Sequence, residues 1–205
     1  MISKKNPRRE PSQERSKVRV QAILDTTSKL ILEDGFANLK VKKIAERAHI
    51  TMGSIYQYFP NRSEILRHLA EQLFTSIREL IGDEISEIEN VDSAETAIDN
   101  IIERLYHFFR SEPVYREIWY GIRTDKKLSS LDIEDNRVNS RLLYDFIHPF
   151  IAEKHRNDFE DRIFLSCYLC NETIFLALSM DEEEGNNAIR HFKDLIKMAF
   201  TSLLK

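Results

Sequence analysis

The 205-residue chain contains few of the residues that make turns or covalent cross-links: five glycines, five prolines and two cysteines. An all-β protein needs many turns rich in glycine and proline, so this composition argues against that class. Two cysteines give no disulfide framework. We expect Cys167 and Cys170 to be small buried hydrophobic side chains rather than a redox pair.

Long apolar runs and catalytic motifs are also lacking. The longest apolar run, from Ile163 to Met180, is interrupted by Asn171 and Glu172, which argues against a membrane span. The start of the chain is charged and has no apolar signal segment, so we expect a cytoplasmic protein. Glycine-rich phosphate loops, G-x-S-x-G and metal-ligand clusters are absent. The sequence therefore predicts no catalytic residue, no metal site and no cofactor, and we expect that the protein is not an enzyme.

Charge is distributed unevenly along the chain. Residues 1–67 contain 14 Lys and Arg against 7 Asp and Glu, a net charge of +7, whereas residues 68–205 contain 16 against 27, a net charge of −11. A small basic region joined to a larger acidic one indicates an N-terminal part that binds a polyanion and a C-terminal part with another task. A solvated basic surface without a ligand is the alternative that charge alone leaves open.

Apolar residues recur at three- and four-residue steps through almost the whole chain. This period predicts an all-α protein of about nine helices, without strands. Capping signals and prolines place the helices at about 15–34, 41–48, 52–58, 62–88, 92–112, 113–124, 130–153, 158–180 and 187–204. We predict three regions: a flexible basic arm over 1–14, a helix-turn-helix domain over 15–67 and a larger helical domain over 68–205.

The second and third helices, joined by residues 47–51, make a helix-turn-helix. Thr51 is the expected N-cap of the third helix. The expected small core consists of Ala45, Ile50, Ile55 and Phe59. Burial of Ile55 and Phe59 turns the opposite face outward, and that face carries Thr51, Met52, Gly53, Ser54, Tyr56 and Gln57. A tyrosine hydroxyl can bond a phosphate oxygen, and Arg62 adds positive charge at the start of the fourth helix.

The stretch KVKKIAERAHITMGSIYQYFPNRSEIL resembles the DNA-binding domain of the TetR (tetracycline-repressor) family, and the resemblance covers residues 15–66. The matching positions are Val41, Ile44, Ala45, Ala48, Gly53, Tyr56, Tyr58, Phe59 and Leu66. Ile50 and Thr51 match by type, and Arg62 stands for the usual lysine. Lys40 replaces the usual threonine cap of the second helix, so either Asn38 caps it or Lys40 contacts a phosphate. His49 replaces the turn glycine, where a positive φ is expected.

The resemblance implies a sequence-specific transcriptional regulator, a repressor in most of the family, that binds a palindromic operator in double-stranded DNA. It implies phosphate contacts from Thr51, Tyr56, Tyr58 and Arg62. It implies base or groove contacts from Met52, Gly53, Ser54 and Gln57. Lys40 is a further candidate for DNA binding, through the alternative phosphate contact at the start of the second helix. Packing against the first helix is the alternative role of Tyr58.

The resemblance also implies that the larger domain binds an effector and dimerises. The apolar faces of the last two helices would then pair with a second chain through Ile163, Phe164, Cys167, Ile174, Phe175, Ile189, Phe192, Ile196 and Phe200. The alternative is that these faces close the core of a single chain. An aromatic-rich set could enclose an apolar or aromatic effector: Phe108, Phe109, Tyr115, Trp119, Tyr120, Tyr144 and His148.

Two other functions remain open at this point. An architectural protein would bind DNA with a steep salt dependence but little preference among sequences. A helical enzyme with a vestigial helix-turn-helix would turn over its ligand. We expect the regulator, because the Y-x-Y-F ending of the motif is far more specific than a helix-turn-helix pattern alone.

Overall fold

The computed structural model describes residues 9–203, with side chains from Glu14 onward. Within these residues the chain forms nine α-helices and three short 3₁₀ helices, and no strand, which confirms the all-α prediction. The α-helices are α1 (Arg9–Asp34), α2 (Val41–Arg47), α3 (Met52–Tyr56), α4 (Arg62–Ile85), α5 (Val91–Ser111), α6 (Pro113–Thr124), α7 (Ser129–Ile147), α8 (Arg156–Ser179) and α9 (Glu182–Thr201). In this part of the chain no helix is both long enough and apolar enough to span a membrane.

The helices form two compact units. The N-terminal unit comprises the described residues up to Glu71 together with Glu117–Leu128, and the C-terminal unit comprises Gln72–Arg116 and the chain from Ser129 onward. Helices α4 and α6 therefore contribute residues to both units. The sequence-based boundary at residue 67 assigned the segment 117–128 to the C-terminal part of the chain, whereas its packing associates it with the helix-turn-helix.

The segment 117–128 fits the N-terminal unit closely at Gly121. A Cβ atom at this position would lie 2.0 Å from the ring of Phe36, so only glycine lets α6 approach so near. Phe36 is buried and follows Gly35, which ends α1 with a φ of 83°. The predicted break after α1 is therefore confirmed, and its aromatic residue packs against α6.

The ends of three helices differ from the sequence-based expectation. Helix α1 begins at Arg9 and includes Pro11 in its first turn, where a missing N–H costs nothing; residues 1–8 of the predicted arm lie outside the described residues. Helix α9 begins at Glu182, not near residue 187, because the Asp181 side chain accepts a hydrogen bond from the backbone N–H of Glu184. Helix α7 ends at Ile147 and the chain continues as a 3₁₀ helix over His148–Phe150, because Pro149 has no N–H to extend the α-helical hydrogen-bond pattern.

The C-terminal unit is built around α8, which packs against α7 and α9. Most of its buried side chains are apolar, but α7 buries a polar face, formed by Asp132, Asp135, Asn136, Asn139 and Ser140. These residues hydrogen-bond mainly to one another and to neighbouring helices. Asn139 Nδ2 donates to Asp135 Oδ2 at 2.8 Å, and Asn171 Nδ2 of α8 donates to Asn136 Oδ1 at 2.9 Å. Arg78 of α4 forms an ion pair with Asp135.

Candidate nucleic-acid interface

The turn between α2 and α3 has the geometry that the helix-turn-helix motif requires. Ala48 N donates to Ile44 O at 2.9 Å, and Ile50 N donates to Ala45 O at 3.0 Å, so the chain reverses within a few residues. His49 lies between them with a φ of 53°. The positive φ predicted at this position is confirmed.

The orientation of α3 is fixed by its buried side. Ile55 and Phe59 are fully buried together with Ile44 of α2, as the spacing predicted, while Ile50 is half-buried at the rim. Backbone N–H groups of Tyr58 and Phe59 both donate to Ile55 O at 2.9 Å, so the chain leaves the helix after Tyr56. Burial of one side of so short a helix leaves the opposite side to solvent.

Thr51 caps α3, as predicted. Its Oγ1 accepts a hydrogen bond from the backbone N–H of Ser54 at 3.1 Å. A hydroxyl that accepts one bond still has its own hydrogen to donate. Thr51 can therefore hold the start of α3 and donate to a phosphate oxygen at the same time.

The exposed side of α3 carries most of the predicted DNA-contacting residues. Met52 is 40% exposed and Tyr56 is 44% exposed, which is unusual for large hydrophobic side chains. Gly53 and Gln57 are exposed beside them. Ser54 and Tyr58 are only half-buried. The structure therefore brings Met52, Gly53, Tyr56 and Gln57 onto one exposed surface, with Ser54 and Tyr58 at its edge.

Several basic side chains belong to α2, which packs against α3, or to its N-cap, and most of them are paired. Lys43 Nζ lies 2.9 Å from Asp34 Oδ2, Arg47 pairs with Glu33, and Lys42 pairs with Glu46. Lys40 is exposed and is the N-cap residue of α2, but its side chain makes no capping bond. The alternative that Asn38 caps α2 is wrong, because Asn38 Nδ2 instead donates to Asp34 O at the end of α1, at 2.8 Å.

Arg62, the first residue of α4, already has partners within the N-terminal unit. Its Nη2 donates to Phe36 O at 2.6 Å, its Nη1 lies 3.6 Å from Asp125 Oδ2, and the guanidinium lies over the Phe36 ring. Asn61 caps α4, because its Oδ1 accepts from Glu64 N at 3.1 Å. Arg62 is thus a structural link between α4, the turn after α1 and the end of α6, and its predicted phosphate contact stays a prediction.

The sequence reasoning missed two arginines beside the helix-turn-helix. Arg15 and Arg19 of α1 line an open groove of about 480 Å³ together with Ala48 and Ile50 of the turn. Their spacing of four residues places both on one helix face. This spacing is visible in the sequence and could have identified them as basic residues beside the helix-turn-helix.

The predicted effector-binding aromatics form separate groups. Phe108 contacts both Phe109 and Tyr115, and it is stacked on Tyr115 at 5.3 Å between ring centroids. Tyr144 stacks on His148 at 5.0 Å. Two others, Trp119 and Tyr120, belong to the N-terminal unit, where Trp119 is buried and Tyr120 is exposed.

A small apolar cavity of about 60 Å³ lies in the C-terminal unit between α5, α7, α8 and α9. None of the seven predicted aromatics is among the described residues that line it. Its walls are aliphatic and phenyl side chains together with two cysteines and a serine: Ile98, Ile101, Ile102, Leu143, Ile147, Ile163, Ser166, Cys167, Cys170, Phe192, Ile196 and Phe200.

Most of the predicted dimer-interface residues pack inside the chain. Seven of them are between 0% and 8% exposed: Ile163, Ile174, Phe175, Ile189, Phe192, Ile196 and Phe200. Phe164 and Cys167 are half-buried, and the Phe164 ring lies beneath the guanidinium of Arg137. A different set of apolar side chains on α8 and α9 is exposed: Leu165, Leu169, Leu176, Leu195 and Met198.

The two cysteines lie in an apolar environment that disfavours the thiolate. Burial raises the pKa of Cys167 to about 12, and it raises the pKa of Cys170 as well. Thiol reactivity requires the thiolate, so both side chains are poorly reactive near neutral pH. Among the described residues, no three His, Cys, Asp or Glu side chains are grouped so that they could hold a metal ion.

Comparison with known sequences identifies two regions of the chain. Residues 23–69 match the family described as "Bacterial regulatory proteins, tetR family". Residues 92–202, more than half of the chain, match "Tetracyclin repressor-like, C-terminal domain".

Curated relatives include two bacterial regulators. The fatty acid metabolism regulator protein of Bacillus subtilis is 34% identical over 65 residues, which cover 32% of this chain and 34% of that protein. The transcriptional repressor KstR2 of Rhodococcus jostii is 25% identical over 124 residues, which cover 49% of this chain and 61% of that protein. The chain spans about a quarter to about three fifths of the length of the curated relatives it matches.

Solved structures match over much more of the chain. A TetR-family transcriptional regulator from Streptomyces coelicolor superposes with a TM-score of 0.68 at 19% identity, covering 91% of this chain and 99% of that one. The SmeT–triclosan complex gives 0.68 at 14% identity and covers 91% of each chain; SmeT is the repressor of the Stenotrophomonas maltophilia multidrug efflux pump SmeDEF. At these identities the structures establish the fold. The two sequence matches together show that the chain belongs to the tetR family of bacterial regulatory proteins.

Proposed function

We propose that this chain is a homodimeric transcriptional repressor that binds an inverted-repeat operator through α3 and leaves it when a small molecule binds. The observation that carries the proposal is the exposed surface formed by Met52, Gly53, Tyr56 and Gln57. Burial of Ile55 and Phe59 on the other side of α3 fixes the orientation of this surface. An exposed face of this kind on a rigid short helix is what a major groove accepts. The curated relatives that are named transcriptional repressors support the direction of regulation.

The residues of this surface have different tasks in the proposed complex. Tyr56 and Thr51 donate hydroxyl hydrogens to phosphate oxygens, and Lys40 adds a charge contact, which together position α3 on the duplex. Gly53 lets the backbone come close to the groove. Met52, Ser54 and Gln57 contact base edges. Gln57 is suited to adenine, because a glutamine amide can donate to it and accept from it. Tyr58, which is half-buried at the edge of the surface, and Arg62 make further phosphate contacts.

The proposed dimer pairs the outer faces of α8 and α9. An inverted repeat requires a two-fold dimer whose recognition helices are separated by about one helical turn of DNA. The exposed leucines and methionine of α8 and α9 offer an apolar surface for this contact, next to the half-buried Phe164 and Cys167 of the original prediction. The remaining predicted residues support the same helices from inside the chain.

A substitution can test this surface directly. We expect Leu176→Glu to raise the dimer dissociation constant at least tenfold, because a buried charge without a partner is unfavourable in an apolar interface. Sedimentation or light scattering across a concentration series measures it. Val138→Glu on α7 is the matched control, since both side chains are 51% exposed. Equal effects of the two substitutions would show that the dimer interface lies elsewhere on the chain.

The proposed effector is an apolar or aromatic molecule that binds in the C-terminal unit. The mainly apolar lining of the cavity between α5, α7, α8 and α9 supports this chemistry. A cavity of about 60 Å³ must expand to hold a drug-sized molecule, so binding would favour a conformation with displaced helices. The effector must bind that conformation more tightly than the DNA-binding one, since equal affinity would shift no equilibrium.

Selection of bound duplexes from random DNA by the purified protein, at physiological salt, tests the proposed function. We expect enrichment of one inverted repeat. Salt-sensitive binding without enrichment would support an architectural protein and contradict sequence-specific regulation. Absence of any binding would contradict the DNA-binding function altogether.

A further inference from the structure

We propose that the carboxylate of Asp125 competes with operator phosphate for Arg62 and thereby limits the affinity of the protein for DNA. This inference rests on the proposed function, because it concerns the same DNA-binding surface. It assigns a role to a residue near the end of α6, outside the helix-turn-helix.

The geometry of Arg62 shows which of its bonds can be exchanged. Its Nη2 makes a short hydrogen bond of 2.6 Å to Phe36 O, which holds the guanidinium in place. Its Nη1 lies 3.6 Å from Asp125 Oδ2, too far for a directed hydrogen bond. The first interaction is therefore structural, and the second is a loose ion pair that another anion can replace.

The guanidinium is incompletely satisfied in this arrangement. Arginine has five N–H donors, and the Nε of Arg62 is buried without a hydrogen-bond partner among the described residues. The Arg62 and Asp125 side chains are 29% and 20% exposed, so solvent and an approaching ligand can still reach the pair. Burial closes Nε to an outside ligand, but Nη1 has only the 3.6 Å ion pair with Asp125. A phosphate group offers several acceptor oxygens that could bond Nη1.

Asp125 keeps its position without help from Arg62. Its Oδ1 accepts a hydrogen bond from Lys127 N at 2.9 Å, and its own N–H donates to Gly121 O at 3.0 Å. Gly121 in turn lies against Phe36. The carboxylate is therefore held beside Arg62 by the backbone around it.

A phosphate at Nη1 and the carboxylate of Asp125 would lie within a few ångströms of each other. Like charges at such a distance repel, and partial burial reduces the screening by water. Operator phosphate must therefore displace Asp125 from Arg62 or accept a weaker contact. In both cases Asp125 lowers the affinity for DNA.

The substitution Asp125→Asn isolates this effect, because asparagine retains the Oδ1 acceptor for Lys127 N and removes only the charge. We expect the variant to bind the selected duplex about two- to fivefold more tightly than the wild type, as for the loss of one partly exposed ion pair. Asp25→Asn is the charge control: Asp25 is exposed on α1 of the same unit and accepts from Gln21. We expect a smaller change from it.

The second arm repeats the measurement in an Arg62→Gln background and at several salt concentrations. The slope of log affinity against log salt is negative, and we expect Arg62→Gln to reduce its magnitude by about 0.9. This corresponds to the loss of one phosphate contact. In this background Asp125→Asn should behave like Asp25→Asn. Melting of each variant, followed by circular dichroism, separates loss of fold from loss of contact.

Three outcomes overturn the inference while leaving the proposed function intact: Asp125→Asn binds like the wild type, it binds like Asp25→Asn, or its effect persists without Arg62. An unchanged salt slope in Arg62→Gln would show that Arg62 never contacts a phosphate and would also overturn it. If neither the wild type nor any variant binds DNA, the proposed function fails first.

Discussion

Helices α3 and α7 both present a polar face, but they direct it to different places. The face of α3 is exposed, and Tyr56 and Gln57 lie on it beside Met52. The face of α7 is buried, and its Asp135 accepts a hydrogen bond from Asn139 and forms an ion pair with Arg78. A polar group that is removed from water must form hydrogen bonds or ion pairs with other polar groups. For the two helices, these groups belong to different molecules. On α3 the proposed partner is DNA, whereas on α7 the partners belong to the same chain.

The comparison teaches that polarity alone does not identify a binding surface. The polar residues of α7 hold the C-terminal unit together, because the side chains of Asp135, Asn136 and Asn139 each have a partner from α4, α7 or α8. Asn139 Oδ1 is the exception, a buried acceptor without a hydrogen-bond partner among the described residues. Substitutions that remove partners should therefore affect stability on α7 and DNA affinity on α3.

The largest effect should come from Arg78→Leu, which removes the cation beside the buried Asp135. We expect the free energy of unfolding to fall by about 3 kcal/mol at pH 7, because the carboxylate is left buried without its charge partner. Denaturant titration measures it. Arg141→Leu is the control, since Arg141 pairs with Asp145 and Glu160 on the exposed side of α7 and should contribute at most about 1 kcal/mol. Equal losses would contradict the structural role of the α7 face.

A smaller change in the free energy of unfolding should follow from a change in pH. Burial raises the pKa of Asp135 to about 6, and Arg78 and Asn139 only partly oppose this. The folded protein therefore binds the proton more tightly than the unfolded chain does. The stabilisation from protonated Asp135 is complete below the unfolded-state pKa, near 4, and is lost as pH rises through about 6.

We expect this contribution to stabilise the protein by about 1–1.5 kcal/mol at pH 5 relative to pH 7.5. Asp135→Asn should remove that part of the pH dependence. Unfolding titrations of the wild type and the variant across this range measure the difference. Identical pH profiles would show that Asp135 has an ordinary pKa and that the α7 face is better solvated than the structure indicates.

The smallest stability change should come from the caps, and it distinguishes the two units. Thr51→Ala and Asp181→Ala each remove a side-chain cap, of α3 and of α9, and should each cost about 1 kcal/mol. Only Thr51→Ala should also weaken DNA binding, because Asp181 lies in the C-terminal unit. Thermal melts and affinity measurements on the same samples test both statements. A DNA defect in Asp181→Ala would indicate that loss of stability alone explains the result.

The sequence predicted well what neighbouring residues determine. The Thr51 cap, the positive φ of His49 and the break at Gly35 all depend on a few adjacent positions, and all three are confirmed. Burial of Ile55 and Phe59 follows from a spacing of four residues. The exposed side of α3 could be derived from these signals, which explains why the helix-turn-helix was recognised.

Features that depend on distant residues were not predictable in the same way. Asp135 looks like a surface residue in the sequence, and its partner Arg78 lies 57 positions away. Both faces of α8 carry apolar residues, so the period gives a helix but does not say that Ile163 and Ile174 face inward and Leu176 outward. Only glycine fits at position 185 of α9, because a Cβ atom there would lie 2.5 Å from Ala177 O. No local sequence pattern reveals this contact.

The most direct test of the account is the affinity of Tyr56→Phe for the selected inverted repeat. Tyr120→Phe makes the same chemical change at a tyrosine of similar exposure, 39% against 44%, away from α3. We predict that Tyr56→Phe binds about tenfold more weakly than the wild type, as expected for a lost hydrogen bond to a charged phosphate, and that Tyr120→Phe binds like the wild type. Equal affinities of both variants and the wild type would contradict the assignment of the exposed side of α3 as the DNA-binding surface.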